Sequence, residues 1–130
     1  MNPANESRGE VSITLDGVDY VMRPSYEAIS AIEDQTGSGL IALAEQAQRG
    51  TMKLETLATI VTEAVRAWGR AAGPDASADQ RAARDFGARR VGELILEGGI
   101  LPAMSRAGVM LLLAATGGVT SSGEVKPAAE

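Results

Sequence analysis

The chain has 130 residues, 45% of them apolar, and its 17 acidic side chains outnumber 12 basic ones to give a net charge of −5. This length predicts one domain, and 22 alanines beside only four aromatic side chains favour helices. Histidine and cysteine are absent, which excludes imidazole catalysis, thiolate nucleophiles and disulfides. We therefore expect a protein that is not an enzyme and that has no catalytic residue, metal site or cofactor.

A β-hairpin is the first element that the sequence predicts. It follows the largely polar residues 1–8, which we expect to be flexible and in which we see no signal peptide. Apolar and polar residues alternate over 11–15, and Asp16-Gly17 is typical of a two-residue turn that needs positive φ angles. The register that follows joins three apolar pairs on one face: Val11 with Met22, Ile13 with Tyr20, and Leu15 with Val18. The smaller Val21 then faces outward, and helices must cover the apolar face because a lone hairpin is marginal in water.

Helical patterns occupy the rest of the chain up to residue 116. Serine caps, glycine stops and apolar residues at a 3.6-residue period mark their positions. The predicted helices run from Tyr26 to Thr36, from Ser38 to Gly50, from about Lys53 to Ala72, from the Ser77–Gln80 capping box to Gly98 with a kink or a split at Gly87, and from Pro102 to Thr116. From Gly117 onward the chain is rich in Gly, Ser, Pro and Ala, which predicts a disordered tail over 117–130.

These elements predict an α+β, mainly α fold, in which an N-terminal two-stranded β-hairpin packs on a bundle of about four to five helices. The single domain covers residues 9–116, between the flexible residues 1–8 and the disordered tail. The unbroken apolar run over 107–115 is too short to cross a bilayer core of about 30 Å, so we expect no membrane-spanning segment.

The last predicted helix is apolar around most of its circumference. Leu101, Met104, Ala107, Leu111 and Ala115 would form an ordinary core stripe, and further apolar side chains lie beyond it. Such a helix is either central in a core or covered by a partner. In so small a domain an oligomer or client interface is as well supported as a core position. The residues that we predict for this interface are Met104, Val109, Met110, Leu112 and Leu113.

Six arginines and three aspartates give residues 66–90 a net charge of +3 within an acidic chain. Arg66 and Arg70 lie one helical turn apart and are candidates for partner contact. Three interpretations of the arginines stay open: a solvated face, contact with an acidic protein partner, and contact with nucleic acid, against which the acidic net charge argues. Glu93 follows Arg89-Arg90 at helical spacing, so we expect an exposed ion-paired face there rather than acid–base catalysis.

Residues 9–45 carry a resemblance to a known family. The pattern consists of Gly9-Glu10 before an alternating strand and Asp16-Gly17, then Arg23-Pro24-Ser25-Tyr26 followed by Ala28 and Ile29, then Ile32-Glu33 with Thr36-Gly37 at a helix end. This stretch resembles the small tail-assembly proteins of gene transfer agents and siphophages, which are found in alphaproteobacterial prophage-like clusters. The resemblance covers residues 9–50 well and the rest of the chain only as a helical plan.

The resemblance implies a tail assembly chaperone, a non-enzymatic protein that binds the long helical tape-measure protein and keeps it soluble until tail-tube subunits replace it. It also implies a homo-oligomer, contact with the tape-measure protein and with tail-tube subunits, a cytoplasmic location in the bacterial host cell, and no nucleic-acid or membrane partner. Members of the family are also labelled tail-tube or tail components. The alternatives are therefore a structural subunit retained in the tail or at the head–tail joint, a small nucleic-acid-binding regulator that uses the arginines, and last a small carboxylate enzyme.

Overall fold

The hairpin forms with the predicted register in the computed structural model, which describes residues 11–126. β1 (Val11–Leu15) and β2 (Val18–Met22) are antiparallel, and all three predicted apolar pairs are present. Asp16 and Gly17 adopt φ angles of 52° and 74°, the left-handed conformation that this two-residue turn requires and that aspartate and glycine tolerate best. The expected flexibility of residues 1–8 concerns a segment outside the described residues.

The described residues contain six α-helices, one more than the upper number predicted. They are α1 (Tyr26–Thr36), α2 (Leu40–Arg49), α3 (Leu54–Ala71), α4 (Ala78–Ala83), α5 (Ala88–Gly98) and α6 (Ile100–Ala115), with a 3-10 turn at Gly73–Asp75 between α3 and α4. The predicted fourth helix is split at Gly87, whose backbone is extended with φ −109° and ψ 148°. Ser25 and Ser77 cap α1 and α4 as predicted, and each accepts a hydrogen bond from a backbone N–H of the first turn.

The long helix α3 lies at the centre of the fold. It packs against α1, α4, α5, α6 and β2, and its apolar stripe from Leu57 to Trp68 is buried. Burying a leucine or valine side chain in this way contributes roughly 1.5–3 kcal/mol. The core continues to the hairpin through aromatic rings, because Trp68 and Phe86 both meet Tyr20 edge-on, with ring centroids 6.3 Å and 4.9 Å from that of Tyr20. Three of the four aromatic side chains therefore form one cluster between the hairpin and the helices.

The hairpin is covered on more than its predicted apolar face. Val21, which strand alternation places toward solvent, is only 4% exposed. It lines a cavity of about 270 Å³ together with Trp68 of α3 and with Gly123 and Val125 near the C-terminus. The prediction for Val21 is therefore wrong, because elements distant in sequence cover a face that the period of two assigns to water.

A hydrogen-bonded turn over residues 117–126, called the C-terminal turn below, replaces most of the predicted disordered tail. Val119 and Val125 form an antiparallel bridge within it. The backbone N–H of Tyr26 donates to the carbonyl of Ser121 at 2.8 Å, which satisfies one of the free N–H groups at the start of α1. The end of the predicted tail, residues 127–130, lies outside the described residues.

Arg23 holds the C-terminal turn against the junction of β2 and α1. Its Nε donates to the carbonyl of Ser122 at 2.8 Å, and its guanidinium lies 3.6 Å from the Glu124 carboxylate. Gly123 packs so closely here that an added β-carbon would lie 2.7 Å from the backbone nitrogen of Ser25. The order of the turn thus depends on residues about one hundred positions earlier, which no local sequence pattern can reveal.

The sharp bend between α5 and α6 interrupts the most apolar part of the chain, for which the sequence predicts no membrane-spanning segment. No single helix among residues 11–126 is both long and apolar enough to cross a membrane. α5 and α6 meet the length and composition criteria only as a pair, and their axes are bent by 120°. Gly99 makes this bend with a φ angle of 105°.

Candidate partner-binding surface

The helix α6 buries one face and exposes another, which divides the residues predicted to bind a partner. Met110 is 0% exposed, so the prediction that it contacts a partner is corrected: it is a core residue. Met104 is also in the core at 4% exposed, and it contributes only that small area to the surface between α2 and α6. Val109 and Leu112 are 43% and 44% exposed. Leu113 is half-buried and packs against the core. Two of the five predicted apolar residues on this helix are therefore available to a partner, and a third is available in part.

The close approach of α2 and α6 accounts for this division. A β-carbon added to Gly108 would lie 3.2 Å from the β-carbon of Ala47, so the two helices meet with little side-chain volume between them. The face of α6 that is turned inward comprises Ala103, Met104, Ala107, Met110 and Leu111. Leu101, which the sequence pattern places in the core, is 72% exposed and lies beside this contact instead.

A shallow groove of about 450 Å³ lies between the two helices and is called the α2–α6 groove below. It is lined by residues 47–50 at the end of α2 and, on α6, by Leu101, Met104, Ser105, Gly108, Val109 and Leu112. Small side chains keep its floor low in the middle, while Leu101 and Leu112 provide apolar area further along α6. Ile41 is 66% exposed and, seven residues before Gln48, lies on the groove side of α2.

The chemistry of the α2–α6 groove is that of binding. Arg49 is its one charged lining residue, and Gln48 and Ser105 contribute an amide and a hydroxyl. Over the described part of the chain, no group of three or more Asp or Glu side chains is placed to hold a metal ion. The groove therefore offers apolar contact area, with a single cation to orient what it binds.

The predicted basic contacts lie elsewhere. Arg66 approaches the Glu63 carboxylate at 3.9 Å, and its buried Nε lacks a hydrogen-bond partner. Arg70 is exposed at the end of α3 and lines a cleft with Tyr26, which is 74% exposed. Neither arginine lines the α2–α6 groove, so the structure does not bring the basic and the apolar candidates together.

The other arginines of residues 66–90 have structural partners. Arg84 donates to the carbonyls of Gly69 and Gly73 at 2.8 Å and 2.9 Å, and so ties α4 to the end of α3. Arg81 donates to a backbone carbonyl in the same way. The ion-paired face predicted around Glu93 is confirmed, because Arg89 and Arg90 approach its carboxylate at 3.6 Å and 3.3 Å. Each of these four arginines therefore has a partner within the chain.

The aromatic cluster contains a titratable group with a shifted pKa. Burial raises the pKa of the Tyr20 phenol, and the carboxylates of Asp79 and Asp16 raise it further. Tyr20 does not line the α2–α6 groove. The shift is a consequence of packing at the corner of the core, and it belongs to stability rather than to binding.

Sequence reasoning missed two residues that line the groove, Arg49 and Leu101, and the exposed Ile41 on the same side of α2. Their exposure depends on which faces of α2 and α6 meet. The pair of small residues Ala47 and Gly108 carries the only local signal for that contact, since small residues permit close helix approach. An apolar pattern that runs around the whole helix does not by itself show which face of the helix is buried.

Comparison with known families places this geometry in context. A family model described as "Phage tail tube protein, GTA-gp10" matches residues 8–98, which is more than half of the chain. The chain belongs to this family. The result makes it a protein related to the tails of phages and gene transfer agents. No curated protein and no solved structure gives a significant match.

The family match covers the hairpin and α1 to α5, and it ends at the last residue of α5. The Arg23-Pro24-Ser25-Tyr26 stretch that carries the resemblance in sequence lies within it. In the structure this stretch ends the hairpin, caps α1 and receives the C-terminal turn. The residues of this stretch therefore have structural roles in the turn, the helix cap and the contact with the C-terminal turn. The α6 wall of the groove follows the matched segment.

Proposed function

We propose that this member of the GTA-gp10 tail family is a tail assembly chaperone, which binds the tape-measure protein without catalysis in the cytoplasm of the bacterial host. One observation supports it above the others. The apolar side chains of Leu101, Val109 and Leu112 remain exposed along one side of α6, next to a low-floored groove. An exposed apolar surface of this kind in a small protein marks a site of interaction.

The physical requirement on such a chaperone matches this surface. The tape-measure protein is expected to be a long amphipathic helical chain, whose apolar face would associate with other chains if it stayed uncovered. Covering that face needs apolar area and no chemistry. Completing the burial of half-exposed side chains such as Val109 and Leu112 would contribute about 1 kcal/mol each, a magnitude that permits later replacement by tail-tube subunits.

A structural tail subunit is the second candidate, and the description of the matching family as a tail tube protein favours it. In that case the same apolar surface packs against neighbouring subunits and stays in the particle. Both functions involve self-association with a homo-oligomer as the expected form. They differ in the finished particle, where a subunit is present in stoichiometric amount and a chaperone is absent.

The experiment co-expresses the chain with the tape-measure protein and measures the soluble fraction of the latter. We expect the double variant Val109→Asp, Leu112→Asp to stay folded, since both positions are exposed, and to lose most of the solubilising effect. Leu96→Asp is the matched control, because Leu96 is 60% exposed on α5 and does not line the groove. Full solubilisation by the double variant would show that this surface is not the binding site. Stoichiometric protein in purified particles would replace the chaperone by the structural subunit.

A further inference from the structure

The α2–α6 groove is built from two helices, and this limits what it can bind. Away from the end of α2 and the first turn of α6, the main-chain N–H and C=O groups of both helices are bonded within each helix, so the middle of the groove has few free backbone groups to offer. An extended segment lying here would leave its own N–H and C=O groups unpaired against apolar side chains. A helix satisfies its backbone internally and brings only its side chains, so the groove favours a helical occupant.

The dimensions of the groove suit a short stretch of helix. Leu101 and Leu112 are separated by eleven residues of α6, which corresponds to about 16 Å, or about three helical turns. The lining between them comprises the buried Met104, the small residues Ser105 and Gly108, and Val109, with Ala47 opposite on α2. A low floor between apolar side chains receives one apolar stripe of a partner helix.

Charge adds a second constraint. Arg49 is the single charged residue of the lining, and it is exposed at the end of α2. The lining contains no carboxylate. A symmetric dimer that placed two such grooves against each other would bring two arginines and no acid into the interface. A partner helix with a carboxylate opposite Arg49 complements the groove better than a second copy does.

We infer that the α2–α6 groove binds one amphipathic α-helix of about three turns from a partner protein, with its apolar stripe on Ser105 and Gly108 and a carboxylate paired with Arg49. The inference rests on the proposed function in one respect, namely that the tape-measure protein supplies this helix. It adds the shape, the length and the charge of the segment that is recognised.

Designed peptides test the inference on the full-length protein by fluorescence anisotropy. The first is a helical peptide of about four turns with a Leu/Ala stripe and one glutamate beside it. The second replaces the glutamate by lysine, and the third has a proline in the middle of the first, which prevents a continuous helix. We expect the glutamate peptide to bind about two- to fivefold more tightly than the lysine peptide, as an exposed ion pair allows. Arg49→Glu should reverse that order, and the proline peptide should lose binding.

A blocking variant and a control complete the test. Ser105→Trp places a large side chain on the exposed floor of the groove and should weaken the glutamate peptide at least about tenfold. Leu96→Asp should leave its affinity unchanged. Equal binding of the proline peptide, an unchanged charge preference in Arg49→Glu, or undiminished binding to Ser105→Trp would each overturn the inference. A dimer of the chain that Ser105→Trp dissociates would also overturn it, in favour of a second copy as occupant.

Failure of this inference and failure of the proposed function give different results. If the chain solubilises the tape-measure protein while no helical peptide binds the groove, the inference is wrong and the chaperone function stands. If the peptides bind as expected while the tape-measure protein stays insoluble, the groove recognises a helix and the proposed partner is wrong.

Discussion

Gly69 lies in the last part of α3, where α4 approaches without room for a methyl group. A β-carbon added to Gly69 would lie 2.6 Å from the carbonyl oxygen of Gln80 and 3.0 Å from the backbone nitrogen of Arg84. Both are backbone atoms, so Gly69→Ala forces α4 to move as a unit. This movement also weakens the hydrogen bonds of Arg84 to Gly69 and Gly73. Alanine at position 69 therefore stabilises the helical backbone of α3 but pushes α3 and α4 apart.

The two effects can be compared in magnitude. Alanine in place of glycine within a helix gains about 0.5–1 kcal/mol, and overpacking costs about 1–3 kcal/mol. We expect a net loss of about 1–2 kcal/mol in the free energy of unfolding, which lowers the Tm by about 4–7 °C for a chain of this length. Thermal unfolding followed by circular dichroism measures this shift.

Gly98→Ala is the matched control for Gly69→Ala. Gly98 is the last residue of α5, and nothing lies within 4 Å of an added β-carbon. The same substitution should therefore raise the free energy of unfolding by up to about 1 kcal/mol. If Gly69→Ala is as stable as the unmodified protein, or if both variants lose the same amount, then the close approach of α3 and α4 does not limit stability and the reasoning is refuted.

Three further predictions concern other parts of the molecule. Met110→Asp buries a charge at a position that is 0% exposed and should lower the free energy of unfolding, measured with denaturant, by about 4 kcal/mol or more. Val109→Asp should change it by no more than about 0.5 kcal/mol, because Val109 is exposed. Similar losses in the two variants would contradict the assignment of which face of α6 is buried. Gly123→Ala should release the C-terminal turn, because φ there is +89° and the β-carbon would lie 2.7 Å from a backbone nitrogen. Amide hydrogen exchange at Tyr26, whose N–H donates to that turn, should then accelerate about tenfold or more, and unchanged protection would count against it. The raised pKa of Tyr20 means that the folded state keeps the phenol proton above pH 10, where the unfolded state loses it, so stability falls as the pH rises through this range. In a Tyr26→Phe background, where Tyr20 is the remaining tyrosine, tyrosinate absorbance should show a midpoint above pH 10, and a midpoint at or below this value would be inconsistent with the burial described.

The hairpin and the helix ends could be predicted because short-range signals determine them. Asp16-Gly17 allows positive φ at two successive residues, and the turn then sets every cross-strand pair. Ser25 and Ser77 accept the first free N–H groups of their helices, which marks where those helices begin. Gly87 splits the predicted fourth helix. The sequence predicted a break at this residue and did not decide between a kink and a split.

The candidate site was predicted only in part. The sequence identifies α6 as a helix with more apolar surface than one core face needs, and Val109 and Leu112 are exposed as expected. It places Met104 both in the core stripe and among the interface residues, Met110 at the interface and Leu101 in the core, whereas in the structure Met104 and Met110 are buried and Leu101 is exposed. A helix that is apolar all round has no pattern that selects its inward face, so these assignments depend on the neighbour that packs against it.

The amino-acid sequence by itself therefore determined much of the local structure of this protein: the hairpin register, the serine-capped starts of α1 and α4, and the glycine stops of α1 and α2. The starts of α2 and α6, predicted at Ser38 and Pro102, lie at Leu40 and Ile100 instead. The tertiary structure alone decided two further features. Contact between Ala47 and Gly108 sets the phase of α6 and with it the α2–α6 groove. The Arg23 guanidinium orders a C-terminal turn that lacks any periodic signal. The physical reason is common to both, because turns and caps are formed by neighbours in sequence, whereas exposure depends on which distant elements pack together.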